Sequence, residues 1–443
     1  MRRTPLTRPW VSTTVAHFHE AHEERYLAFE APQFRDEVDR LLADHERYMD
    51  RECISLYAGT NVLNPRVARA QASTIGSRPS LGYPGDKYET GLRYAEQIEI
   101  LATEILRRLF QCRYVEFRVG SGSLANLYAF MACARPGDTI LALPDAAAGH
   151  VTHHAEGAAG LYGLRVRDVP WDGERMTVDL AALQKVARSL RPRMIVLGGS
   201  LALHPYPVGE VRHVADGVGA YVMFDAAHLS GLIAGGVFQR PLSEGAHLMT
   251  CSTYKSFGGP AGGLVLTDSA ELAERLDRIA YPGLTANFDL SRTAGLVIAA
   301  ADLLEFGSDY SATCIGNAKA LAQELAALGG PVRVAAGRGF TSSHHVALEA
   351  APYGGGTTAA RRLEKANILA SGIGLPSPPL PGDFNGLRLG TQEISRWGMR
   401  PEHMPAVARL IARVLVDGEE PSAVQADVIA LRRGFQSLHF VRD

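Results

Sequence analysis

The chain carries a succession of short, unbroken apolar runs: DTILAL from Asp138, MIVLGGS from Met194, AYVMFDAAH from Ala220, HLMTCST from His247 and GGLVLT from Gly262. A strand that is apolar throughout, and not only at alternate positions, is buried on both faces. Helical periodicity occupies the intervals, as in YAEQIEILATEILRRLF from Tyr94. Strands covered on both sides and separated by helices predict an α/β chain with a mostly parallel sheet.

The rest of the organisation follows from texture. Residues 33–52 place Phe34, Val38, Leu41 and Leu42 at helical spacing among many charges, which predicts an exposed amphipathic helix in an N-terminal arm over 1–52. A large domain is expected over 53–305. After residue 305 come helices such as GNAKALAQELAALG, a few strands, PYGGGTT and the proline-rich LPSPPLPGDFNG, read as a smaller α+β domain over 306–443. A length of 443 residues suits two or three domains. The formal charge of −2 offers no basic excess for nucleic acid. GLVIAAADLLEF is short and carries Asp302 and Glu305, so no membrane span is expected. Five scattered cysteines without a CxxC pair indicate neither a disulfide framework nor a metal site and fit a reducing cytoplasm. The start MRRTPLTRPWVSTT is Arg-rich like a transit peptide, but it lacks an apolar core and runs into acidic HEAHEERY, so no targeting segment is read there.

Ligands of open α/β sheets sit at the carboxyl ends of the strands. Asp225 and His228 fall at one such end, Thr253 and Lys255 follow another and precede a glycine-rich loop, and Ser121, Gly122 and Ser123 stand at a predicted helix N-terminus. Each feature alone has an ordinary reading as a turn residue, a helix cap or a flexible loop. Together they supply a lysine for a Schiff base, a carboxylate to keep a pyridinium nitrogen protonated, and a phosphate cradle, the set that pyridoxal phosphate requires.

The stretches NPRVARAQAS, GYPGDKY, GSGSLANLYAF, PGDTILAL, GHVTHH, GAYVMFDAAHLSGLIAGG, STYKSFGGPAGGLVLT and LRLGTQEISRWGM carry a resemblance over nearly the whole chain. In order and spacing the sequence resembles serine hydroxymethyltransferase, of the fold-type I, aspartate-aminotransferase-like pyridoxal phosphate enzymes. The resemblance implies that Lys255 forms the Schiff base and Asp225 holds the pyridinium nitrogen. His228 and Ser200 would lie near the phenolic oxygen, His150 would stack on the ring, and Ser121, Gly122, Ser123 and Thr253 would belong to the cofactor site. Arg388 would grip the amino-acid carboxylate. It also implies a homodimer or larger assembly with the cofactor at the interface, and the loop from Gly283 to Asn287 as a segment that crosses.

The departures from the family pattern fall on substrate handling. In PSLGYPG, Pro79 and Leu81 replace a tyrosine and the glutamate associated with the folate-dependent one-carbon step, and leucine transfers no proton. Glu89 follows Tyr88 where the family has a second tyrosine, Gly59 and Thr60 replace a substrate-contacting serine and its neighbour, Tyr254 replaces a histidine, and Ala261 replaces an arginine. Gly59, Leu81 and Glu89 therefore join Arg388 as expected substrate-site residues, with Gly59 and Ala261 expected to leave room for a larger acceptor. The constellation resembles the threonine transaldolases, for which a glycyl quinonoid formed from threonine adds to a second aldehyde. Alternatives are a folate-dependent serine or α-methylserine hydroxymethyltransferase, with Glu89 or His150 moving the proton; a threonine or phenylserine aldolase; and a cofactor-free binding protein on the same fold.

Overall fold

A computed structural model of the chain describes residues 8–442. Residues 1–7 of the Arg-rich start lie outside the described residues. The chain divides into two compact units, one ending at Cys53 and one beginning at Ile54.

The first unit contains helices α1 (Thr13–Tyr26) and α2 (Ala31–Glu46). Ser12 caps α1 by accepting from the Val15 amide, and Arg25 of α1 donates to Glu37 of α2 at 2.8 Å. The predicted apolar row is present on α2, and Phe34, Val38, Leu41 and Leu42 are all exposed.

In the second unit the apolar runs form a seven-stranded sheet: β1 (Tyr114–Val119), β2 (Thr139–Ala142), β3 (Arg165–Asp168), β4 (Met194–Gly198), β5 (Tyr221–Asp225), β6 (Leu248–Ser252) and β7 (Gly263–Thr267). Their order is β1-β7-β6-β5-β4-β2-β3. All neighbours pair in parallel except at β7, which runs against both β6 and β1. Successive residues feed opposite cores: Met194 and Val196 pack on one face with Ala125 and Ala129, whereas Ile195 and Leu197 pack on the other with Leu106 and Leu303. This double burial is what the unbroken apolar runs predict. β1 and β3 were not foreseen, because YVEFRV and RVRD carry charges that a run-based reading takes for surface.

Helices α3 (Ala95–Phe110) and α4 (Gly122–Cys133) lie on opposite faces, in the same two cores. Helix α5 (Leu290–Ala327) is continuous for 38 residues and crosses the expected boundary at 305/306. Its residues Leu296 to Cys314 join a sheet core, and Ala318 to Leu325 join the core of a second, three-stranded antiparallel sheet. That sheet is made of β8 (His345–Glu349), β9 (Ser371–Ile373) and β10 (Gly386–Gly390), with β10 central. One helix thus serves both cores.

Register aligns the polar ends. Asp225 pairs with Gly198 on one side and Thr250 on the other, and Gly263 pairs with both Ser252 and Val119. The segments leaving β1, β4, β5 and β6 therefore emerge along one sheet edge.

Candidate active site

Lys255 follows the end of β6 by three residues and is buried. Its Nζ lies 3.2 Å from His228 Nε2, and His228 Nδ1 lies 3.1 Å from the Ala58 carbonyl. The carbonyl can only accept, so Nδ1 carries the proton and Nε2 offers its lone pair to Lys255. Burial lowers the Lys255 pKa to about 8, with Asp225 acting in the opposite sense. Burial also holds the His228 pKa well below the ordinary range, reinforced by the neighbouring Lys255 and Arg388. The amine therefore gives up its proton more readily than an ordinary lysine, and the neutral form that condenses with an aldehyde prevails above about pH 8.

Asp225, at the end of β5, is the acceptor for several donors. Its Oδ2 accepts from His153 Nε2 and from Asn126 Nδ2, each at 2.9 Å, and its Oδ1 accepts from the Ala227 amide at 2.9 Å. Thr250 donates to Asn126 Oδ1 at 2.7 Å and so turns the amide nitrogen toward Asp225. Burial alone opposes ionisation, but the His153 hydrogen bond and charge outweigh it and keep this carboxyl below the usual carboxylate range. His150 stands beside this group, its ring 6.0 Å from that of His153, and burial lowers its pKa to about 4, so it is neutral.

Ser121 is the N-cap of α4, its Oγ accepting from the Leu124 amide at 3.1 Å. A Cβ on Gly122 would lie 2.2 Å from Ser252 Oγ, so the helix start seats directly on the end of β6. Free N–H groups of a first helical turn and the positive end of the helix dipole form an anion cradle. Ser123 is exposed in that first turn. Thr253 is buried, and its Oγ1 donates to the Pro260 carbonyl at 2.5 Å, which fastens the glycine-rich loop after the lysine. The buried lysine of lowered pKa, the ionised carboxylate and the helix-terminal cradle fit pyridoxal phosphate. Lys255 would carry it, Asp225 would face its ring nitrogen, His150 its ring, and Ser121 to Ser123 its phosphate.

Arg388 projects from central β10 and is buried. It donates to the Ser200 carbonyl, to Ser371 Oγ at 2.9 Å and toward His228 Nε2 at 3.5 Å. Its Nε has no hydrogen-bond partner, and it forms no salt bridge among the described residues. Burial lowers its pKa to about 10, with the Tyr57 phenol acting in the opposite sense. A buried guanidinium with an open N–H is costly unless an anion reaches it.

Lys255, Asp225, His150, His228, Ser200 and Arg388 thus converge, and Gly59 adjoins them through Ala58. Gly59 does not open the expected room: a Cβ there would lie 2.8 Å from Tyr57 Cζ, so the Tyr57 ring already fills that space. Leu81 and Glu89 are bound to one another. Glu89 Oε2 accepts from the Leu81 amide at 2.9 Å, and the hairpin between them is pinned by Lys87 on Glu99 at 2.7 Å and by Tyr83 on Asp277 at 2.7 Å. No hydrogen bond or ion pair among the described residues links this hairpin to Lys255, Asp225 or Arg388. The sequence reading missed His153, Asn126 and Tyr57. The second histidine of GHVTHH, three residues after His150, was the available signal for the first; the other two are brought in by packing alone.

Comparison with known proteins accords with this geometry. A family model described as serine hydroxymethyltransferase matches residues 33–411. An α-methylserine aldolase of Ralstonia sp is 49% identical over 435 residues, covering 98% of this chain and 99% of that protein. An α-methylserine aldolase of Variovorax paradoxus is 53% identical over 405 residues, 91% of each chain. A serine hydroxymethyltransferase of Archaeoglobus fulgidus is 40% identical over 409 residues, covering 92% of this chain and 93% of that protein. Among solved structures, L-threonine transaldolase from Pseudomonas fluorescens superposes with a TM-score of 0.84 at 26% identity, covering 93% of this chain and 94% of that one.

Proposed function

The chain belongs to the serine hydroxymethyltransferase family of pyridoxal phosphate enzymes, and from that premise we propose that it is a folate-independent aldolase acting on α-methylserine. The observation that carries this reading is the kinship with aldolases named for that substrate, over nearly the full length of both chains. Leu81 supports it, since the wall residue that replaces the family's glutamate moves no proton. Breaking the Cα–Cβ bond of α-methylserine releases formaldehyde as the hydroxyl proton leaves, and protonation of Cα leaves alanine.

Bound pyridoxal phosphate supplies the electron sink that makes such a cleavage possible. Arg388 would receive the substrate carboxylate on its unpaired Nε and so fix the orientation of the substituents on Cα. Lys255 Nζ, with a pKa of about 8, both holds and yields a proton near neutrality. Neutral His150 and neutral His228 can accept hydrogen bonds without adding charge beside Lys255. Glu89 is committed to the Leu81 amide and is not assigned the proton transfer.

The test is incubation of the holoenzyme with α-methylserine in the absence of folate. Equal amounts of formaldehyde and alanine are expected; strict dependence on tetrahydrofolate would overturn the reading. A second reading, L-threonine transaldolase, is favoured by the solved structural neighbour. It predicts acetaldehyde from threonine only when a second aldehyde is present, and the same assay decides between them.

We also propose a homodimer. Its support is the exposed apolar row of α2 and the lack, among the described residues, of any hydrogen bond or ion pair from the Leu81 hairpin to Lys255, Asp225 or Arg388. No helix of the described residues is long and apolar enough to cross a membrane. The five cysteines form no disulfide and are buried, which suits a reducing compartment such as the cytoplasm.

A further inference from the structure

The segment Tyr57–Thr60 is held against the lysine from two sides. The Ala58 carbonyl meets His228, which meets Lys255, and Gln392 Nε2 donates to the carbonyls of both Tyr57 and Thr60 at 2.9 and 2.8 Å. The turn is also seated from below, since a Cβ on Gly390 would lie 2.7 Å from Ala58 Cα. The backbone here has no freedom to carry the Tyr57 ring elsewhere.

That ring lies over residue 59. A Cβ on Gly59 would stand 2.8 Å from Tyr57 Cζ and 2.9 Å from Tyr57 Oη, distances at which one group must yield. The hydroxyl is a donor without a hydrogen-bond partner among the described residues, on a side chain that is 37% exposed. Across the site, Arg388 is a buried cation with an open Nε, and the Tyr57 phenol is close enough to influence it electrostatically. An open phenol and an open guanidinium N–H within electrostatic reach of one another form a pair of donors suited to a carboxylate.

We propose that Tyr57 Oη donates a hydrogen bond to the substrate carboxylate alongside Arg388, and that residue 59 is glycine so that the Tyr57 ring can lie there. The assignment rests on reading this site as one for amino acids, but it concerns binding and not which bond is then cleaved. The pair is coupled: a side chain at 59 displaces the phenol, and removal of the phenol frees space at 59.

The experiment uses the holoenzyme and reads the absorbance change on titration with alanine and with ethylamine, which is alanine without its carboxylate. Tyr57→Phe keeps the ring and removes only the donor. It is expected to weaken alanine binding about tenfold, the usual cost of a hydrogen bond to a charged group, and to leave ethylamine binding unchanged. Gly59→Ser should weaken alanine binding at least as much, and Tyr57→Ala with Gly59→Ser should bind alanine better than Gly59→Ser alone. Unchanged alanine affinity in Tyr57→Phe, equal losses for alanine and ethylamine, or strictly additive effects at 57 and 59 would overturn the proposal. A wild-type holoenzyme that binds no amino acid sinks it together with the aldolase reading. Alanine binding without cleavage of α-methylserine sinks the aldolase reading alone.

Discussion

At the scale of single residues, the site is organised by burial working against charge. Lys255, His150, His228 and Arg388 are all shifted toward their uncharged forms, and burial is the leading cause for each. Asp225 is the counterweight, held ionised by His153. A consequence follows for cofactor capture. Because the Lys255 pKa is lowered to about 8, the reactive neutral amine grows with rising pH and is nearly complete above that value. The rate at which the apoprotein takes up pyridoxal phosphate should therefore climb through about pH 8 and level off, followed by absorbance in stopped flow. Lys255→Ala should show no borohydride-stable attachment at any pH. An inflection near the ordinary lysine value would mean that burial does not set the amine's reactivity.

At the scale of elements, strand ends and one helix start do the positioning. The strands deliver Asp225 and Lys255 because their register is fixed by residues buried on both faces, where a one-residue slip would exchange the two cores. Helix α4 contributes its first turn, and the Ser121 cap keeps that turn formed. Ser121→Ala should cost about 1 kcal/mol in denaturant unfolding of the apoprotein, the usual price of a lost N-cap. It should also weaken pyridoxal phosphate binding, measured by equilibrium dialysis, because a frayed first turn no longer aims its N–H groups. A loss of stability without any loss of cofactor affinity would separate α4 from the cradle. These elements were legible in advance: the runs at 194, 220, 247 and 262 each became a strand, with ends within three residues of those of the run. The charged strand β1, by contrast, is stabilised by pairing with β7 and by Glu116 and Arg118 satisfying each other at 2.7 Å, which no periodicity announces.

At the scale of the whole molecule, the long helix α5 joins the two sheets into one unit, so Arg388 and Lys255 are held at fixed relation although 133 positions separate them in the chain (388 − 255). The proposed dimer concerns the Leu81 hairpin and the exposed row on α2. If a second copy completes the site, sedimentation equilibrium should return about twice the chain mass of 47.7 kDa. A mutation of Val38 and Leu42 to Asp should shift the equilibrium toward the single chain. A monodisperse single chain with full aldol activity would refute the dimer.

The sequence by itself pointed to the layered fold and to Lys255, Asp225 and His228 as chemistry-bearing residues at strand ends, whereas Arg388 was named only by the family resemblance. Continuous apolar runs admit one kind of burial, and chemistry-bearing side chains at their ends have one edge to occupy. Only the tertiary structure decided which groups face one another. His153 and Asn126 reach Asp225 across 72 and 99 positions of chain, and Tyr57 covers Gly59 because Gln392, 335 positions away, holds its carbonyl. The same is true of Gly59, which as a letter in the sequence reads as added space. In the fold it is the condition for an aromatic ring, because the volume beside a glycine belongs to whichever neighbour packing brings there.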